Sequence, residues 1–258
     1  MLWEASFLYV RYRTLSGDRP GVGAAPMVEP RRPKQVSPYA QACLQALTEG
    51  GLGRNLSLGG AFGLAHYYEY RTTHDVDAWW VEPVTGEVRQ AIVATLEEAL
   101  RPFGRVRTRT WGDVVSVELI SNNKTFFSFQ IARRSAELQA PTVGVWPGGI
   151  AVDSLPDLVA GKMTALVERG APRDFRDIYT LCQAGVVSIA RCWEWWEERQ
   201  LLANENASRS RAKLALLSHL ARLEQARPLD KIEDAVQRAE AERVRTWFSE
   251  EFLRDVSD

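Results

Sequence analysis

The sequence predicts an α/β (α+β) chain, with a mixed-sheet core and a helical C-terminal region. Three observations carry that prediction. Two-residue and helical periodicities take turns up to about residue 154, and only the helical period remains afterwards. A short apolar run, Leu56–Leu58, stops at Gly59-Gly60, as a strand does before a tight turn. Two apolar alternations flank the turn cluster Ser121-Asn122-Asn123-Lys124, as in a hairpin.

The elements follow in order. Ser37 and Pro38 open a helix over Pro38–Thr48 that ends at Gly50-Gly51. After the strand Leu56–Leu58, Ala61–Tyr70 reads as a short helix and Asp75–Val81 as a strand. Gly86–Pro102 is amphipathic, with Val88, Ile92, Val93, Leu96 and Leu100 on one face. Strands are expected at Arg105–Thr110, Val114–Ile120, Thr125–Ile131 and, briefly, Gly149–Val152. Helices are expected over about 155–169, 174–184, 188–202, 207–224 and 230–248. The domain reading is a core over 37–154 and a helical region over 155–258. Residues 1–36 hold six Lys/Arg and three acids among many Gly and Pro, and are expected to be disordered or a mis-assigned extension, with Met27 as the alternative start.

Composition narrows the function classes. The chain has 258 residues, 45% hydrophobic and 25% charged, with a net charge of −1. That is globular composition, with no global field to steer it onto nucleic acid. No apolar run approaches the roughly 20 residues that span a bilayer, so no membrane role and a soluble protein are expected. Cys43, Cys182 and Cys192 are odd in number and lack C-x-x-C spacing, which points to a cytoplasmic location without disulfides or a zinc ribbon. The signatures H-E-x-x-H, G-x-S-x-G and G-x-x-x-x-G-K-[ST] are absent.

Two constellations carry chemistry. In the first, Gly59-Gly60 turns into a helix, where backbone N–H groups can approach a phosphate. About fifteen residues on, Arg71-Thr72-Thr73-His74-Asp75-Val76-Asp77 places two carboxylates at i and i+2 of a strand, side by side on one face. That is a hard oxygen site suited to Mg²⁺ and a substrate phosphate. Each half alone also reads as a plain turn and a solvated strand face. In the second, Lys162 interrupts the stripe Leu155, Leu158, Val159, Met163, Leu166 and Val167, so it must snorkel or meet an anion. Asp174 and Asp177 then share a helical flank; an N-cap with a capping-box acid would explain them equally well.

In order, Leu58-Gly59-Gly60, Arg71-x-Thr73-x-Asp75-x-Asp77, Asp157…Lys162…Ala165-Leu166…Arg169 and Arg173-Asp174-x-x-Asp177-Ile178-Tyr179 resemble the AbiEii/AbiGii toxin family. That family consists of nucleotidyltransferases with a DNA polymerase β-like core, and the likeness covers roughly residues 40–185. The resemblance implies a Mg²⁺-dependent transfer of NMP from an NTP to an acceptor hydroxyl, as at a tRNA 3′ end, by a toxin with an antitoxin protein partner. It implies that Gly59, Gly60 and Thr73 hold phosphates, Arg71 fixes the loop, Asp75 and Asp77 bind Mg²⁺, and Lys162 contacts the triphosphate. It makes Asp174 the further acid of the site, with Asp177 supporting or substituting for it. The chain departs from the related enzymes at Gln130, where a third carboxylate is expected; Glu118 is the nearest substitute.

Three other readings follow from the residues. Arg105, Arg107 and Arg109 share a strand face and suit either phosphate contacts or solvent. Trp193, Trp195, Trp196 and Trp247 read as core anchors. The alternatives to RNA transfer are nucleotidylation of a protein or small molecule, and a catalytically impaired NTP- or partner-binding module.

Overall fold

The computed structural model describes residues 28–254. The expectation for residues 1–27, with Met27 as the alternative start, lies outside them. Residues 28–36, the described part of the segment expected to be disordered, are tied to the fold. The backbone N–H groups of Lys34 and Gln35 donate to Glu69 at 2.9 and 2.7 Å, and that of Arg31 to the His66 carbonyl at 2.8 Å.

Helix α1 (Pro38–Glu49) is capped by Ser37, whose hydroxyl accepts from the Ala40 N–H. Strand β1 (Leu56–Gly59) runs directly into the six-residue helix α2 (Gly60–Ala65). This helix is shorter than expected, because the residues after it are recruited elsewhere: Tyr67 donates to the Asp153 carbonyl, and Tyr70 to Asp177. Next come β2 (Val76–Trp80), α3 (Gly86–Leu100), β3 (Arg105–Trp111), β4 (Val114–Ser121), β5 (Lys124–Ala132) and β6 (Ala151–Val152). Asn122 and Asn123 both take positive φ, which closes the β4–β5 hairpin in two residues. Helices α4 (Leu155–Glu168), α5 (Pro172–Gln183), α6 (Ile189–Leu202), α7 (Arg209–Ala226) and α8 (Ala235–Trp247) complete the order.

The strands form one mixed sheet in the order β3-β4-β5-β2-β1-β6. β2 lies antiparallel to β1 and parallel to β5. Alternation sorts its side chains by face. Leu58, Val76, Ala78, Val117, Phe129 and Ile131 pack with α1 and α3 in one apolar cluster. A second cluster unites α4 to α8 and buries Trp193, Trp196 and Trp247, so these tryptophans are core. Helix α2 joins the two, giving Phe62 to the first and Leu64 to the second. Gly63 permits that junction, since a Cβ there would stand 2.6 Å from Leu158 Cδ2.

Candidate active site

The face of the sheet opposite α1 and α3 is polar, and its register arranges the predicted residues in two rows. Gly59, Asp77, Gln130, Ser116 and Arg109 lie side by side across β1, β2, β5, β4 and β3. In the next row Ser128 pairs with Glu118, and Glu118 with Arg107. Asp75 adjoins this row: its Oδ1 accepts from the Ser128 N–H at 2.9 Å and the Ser128 hydroxyl at 3.0 Å. Asp75 and Asp77 therefore stand on one face, as their spacing predicts. Asp75 is exposed and Asp77 half-buried.

Gly60 has φ +56°, and a Cβ there would fall inside the Asp77 carboxylate. A glycine is needed at this point both for the backbone and for the close approach of Asp77. Burial pushes the Asp77 carboxyl above its ordinary range; Lys162 opposes this, and the neighbouring Asp75 charge adds to it. A cation binding between the two aspartates would relieve both penalties. Among the described residues no group of three or more His, Cys, Asp or Glu is gathered to hold a metal ion. Two protein carboxylates completed by substrate phosphates fit the way Mg²⁺ is usually held.

Behind the acid pair lies a buried charge cluster. Asp174 and Asp177 on α5 have no exposed surface, and Lys162 on α4 is 9% exposed. The Lys162 Nζ lies 2.7 Å from Asp177 Oδ2 and 3.7 Å from Asp174 Oδ1. Arg71 grips Asp177 with Nε at 3.0 Å and Nη2 at 3.1 Å, and the Tyr70 hydroxyl donates to the same carboxylate. Arg169 grips Asp174 in the same two-pronged way, at 2.8 and 3.0 Å. Burial would raise the Asp177 carboxyl, but the hydrogen bond from Arg71 and the charges of Lys162 and Arg71 hold it below its ordinary range. The Tyr70 phenol is pushed far up by burial and by Asp177, so it remains a donor.

The cluster decides between the readings left open by the sequence. Lys162 meets anions instead of snorkelling. Capping does not account for the two aspartates: the N-cap of α5 is Ala171, with no side-chain bond, and both carboxylates are taken by cations. Arg71 is joined to Asp177, while Thr73 makes only a long bond, 3.4 Å, to the Asp75 carbonyl. Thus the structure brings Gly59, Gly60, Asp75 and Asp77 together on one side, and Arg71, Lys162, Asp174 and Asp177 on the other, with the Lys162 charge acting on Asp77 between them.

Glu118 does not replace the acid expected at Gln130. It lies two strands from Asp75, about 10 Å at ordinary strand spacing. Arg107 and Arg109 each bond it at 2.6 Å, and they hold its carboxyl below the ordinary range against the effect of burial. The same pairs occupy two of the three arginines expected to meet phosphates. Sequence reasoning missed Ser128 and Tyr70. The first was findable, since it alternates with Gln130 on the same strand; the second has no local signal.

Carboxylates on a strand beside a glycine turn, with fixed cations behind them, suit a metal ion and a substrate phosphate. The family model described as "Nucleotidyl transferase AbiEii toxin, Type IV TA system" matches residues 42–254, and the chain belongs to that family. No curated protein matches it. Among solved structures, a crystal structure described as a "putative nucleotidyltransferase from H. pylori" is similar, with 15% identity and a TM-score of 0.44, over 82% of this chain and 94% of that one. Among the described residues, no helix is long and apolar enough to cross a membrane.

Proposed function

We propose that this nucleotidyltransferase moves NMP from an NTP to a hydroxyl of an RNA acceptor, a tRNA 3′ end by family resemblance, as the toxin of a toxin–antitoxin pair. The observation that carries the reading is the Asp75–Asp77 pair, set against Gly60 and fixed by Ser128. Asp75 and Asp77 would hold Mg²⁺, which supplies charge neutralisation at the triphosphate when bound. Ser128 holds Asp75 in place, and Gly60 lets Asp77 reach the same point. Asp177 aims Lys162 and Arg71; the remaining Lys162 donor serves the triphosphate. Asp174 anchors Lys162 and Arg169. In the reaction the acceptor oxygen bonds to the α-phosphorus, the α–β bridging bond breaks, and pyrophosphate leaves with that electron pair. The hydroxyl proton passes to solvent, because Gln130 cannot take it. Catalysis rests on positioning and charge.

One observation favours a second reading. The neutral Gln130 beside Asp77, with Glu118 locked in ion pairs, suits a slow or impaired enzyme that acts by binding NTP or a partner. The deciding experiment is incubation with each α-³²P-NTP, Mg²⁺ and total cellular RNA, beside Asp75→Ala/Asp77→Ala. Label in a tRNA-sized band, lost in the variant, is expected. NTP binding without any transfer would establish the second reading instead, and label on protein or a small molecule would redirect the acceptor.

A further inference from the structure

Helices α5, α7 and α8 enclose a cleft of about 650 Å³ that begins at Arg71, the residue gripping Asp177. Its floor is apolar, built from Phe175, Leu220, Ile232 and Val244. Its walls carry five arginines against two acids, Asp234 and Glu240. Three of the five arginines, Arg71, Arg173 and Arg176, come from outside residues 188–258, a stretch whose 14 acids outnumber its 12 basic residues.

The wall charges are not equivalent. Arg71 is taken by Asp177, and Arg176 by Glu240 at 2.6 Å. Asp234 is spent as the N-cap of α8, accepting from the Gln237 N–H. Among the described residues, the guanidinium groups of Arg173 and Arg227 make no ion pair, and Arg245 donates only to the Arg227 carbonyl at 2.8 Å. Arg173 stands at the α5 end, where its charge reaches Asp77; Arg227 and Arg245 hang from the ends of α7 and α8. On β3, by contrast, Glu118 has already taken Arg107 and Arg109.

An NTP bound at Asp75 and Asp77 spends its charge there and leaves none for Arg227 and Arg245. A ligand with phosphates in series, and with flat apolar groups between them, matches both the cations and the floor. We infer that this cleft, and not the β3 face, carries the acceptor: a single-stranded polynucleotide end whose phosphates sit on Arg173, Arg227 and Arg245. The inference rests on the proposed RNA acceptor.

The test uses the full chain, a 5′-fluorescein single-stranded RNA of twelve nucleotides and fluorescence anisotropy across a salt series, without NTP. Arg227→Ala/Arg245→Ala should weaken binding at least tenfold at low salt. It should also make the log–log salt slope shallower by about 1.4, for two lost contacts at about 0.7 each. Arg227→Lys/Arg245→Lys should restore most of the affinity, which shows that charge and not folding was lost. Calorimetric affinity for a non-hydrolysable NTP should stay unchanged. The inference is overturned if wild type does not bind RNA, if the alanine variant binds RNA normally, if Lys fails to rescue, or if NTP affinity falls with RNA affinity. It is also overturned if Arg105→Ala causes the loss instead. RNA bound in the cleft without nucleotide transfer would sink the proposed chemistry and leave the cleft assignment standing.

Discussion

Replacing Asp177 by Asn removes one charge and almost no volume, so its effect isolates the electrostatics of the buried cluster. Each carboxylate oxygen serves two donors. Oδ1 accepts from the Tyr70 hydroxyl and Arg71 Nε, and Oδ2 from Arg71 Nη2 and Lys162 Nζ. Whichever way the amide of Asn turns, its NH₂ faces two donors. Three cations, Lys162, Arg71 and Arg169, are then left with Asp174 alone. Breaking a buried ion pair by removing one partner costs about 3–5 kcal/mol. Arg71 is 23% exposed and can hydrate, so the lower end, about 3 kcal/mol, applies. In a protein of this size that is a fall in Tm of roughly 6–12 °C, measured by differential scanning fluorimetry at pH 7. Lys162→Met placed in the Asp177→Asn background should win back stability, because it removes the cation left unpaired; the double-mutant cycle should give a coupling of about 1–3 kcal/mol. A Tm fall below 2 °C, or strictly additive losses, would refute the argument that this cluster is one electrostatic unit.

Other expectations follow from the same structure. Gly60→Ala drives a methyl group into Asp77; a misplacement of that order should cost roughly 100-fold in nucleotidyl transfer, read by label incorporation, with a smaller effect on Tm. His66 is buried and its Nε2 accepts from the Trp146 indole, and burial lowers it from 6.5 to about 4. The unfolded chain takes up that proton first as pH falls, so about 3 kcal/mol of stability present above pH 6.5 is lost progressively down to pH 4. Denaturant titrations at several pH values should show that slope, and His66→Gln should flatten it. Glu118→Gln should leave the pH profile of transfer unchanged while lowering Tm by a few degrees, as its arginines lose their partner. Gln130→Glu puts a third carboxylate beside Asp77; without metal it should lower Tm, and Mg²⁺ should recover the loss.

What the sequence disclosed was local. Asp75 and Asp77 could be read because strand alternation fixes their common face, and the hairpin because two asparagines mark its turn. The Gly112-Asp113 turn between β3 and β4 places Glu118 opposite Arg107, so that pair was legible in principle. Gly60 was visible as a glycine, but its reason was not, since the Asp77 side chain reaches it only through the β1–β2 register. The end of α2 at Ala65 was hidden for a similar cause: helical spacing continues to Tyr70, yet Tyr67 and Tyr70 are claimed by Asp153 and Asp177. The arginine cleft gave no signal, because its members come from three helices whose packing no periodicity encodes.

The Asp177 cluster also spans the chain in time. Tyr70 and Arg71 precede Asp177 by more than a hundred residues. A ribosome adding about 5–20 residues per second makes Arg71 roughly 5–20 s before its partner exists. During that interval the nascent chain already carries Gly60 and the acid pair, but nothing holds Arg71, and Lys162 arrives only shortly before α5. A chain cut short ahead of α5 is expected to keep its sheet residues and lack an aimed cation. The charge cluster is thus complete only when synthesis is well past the midpoint of the chain.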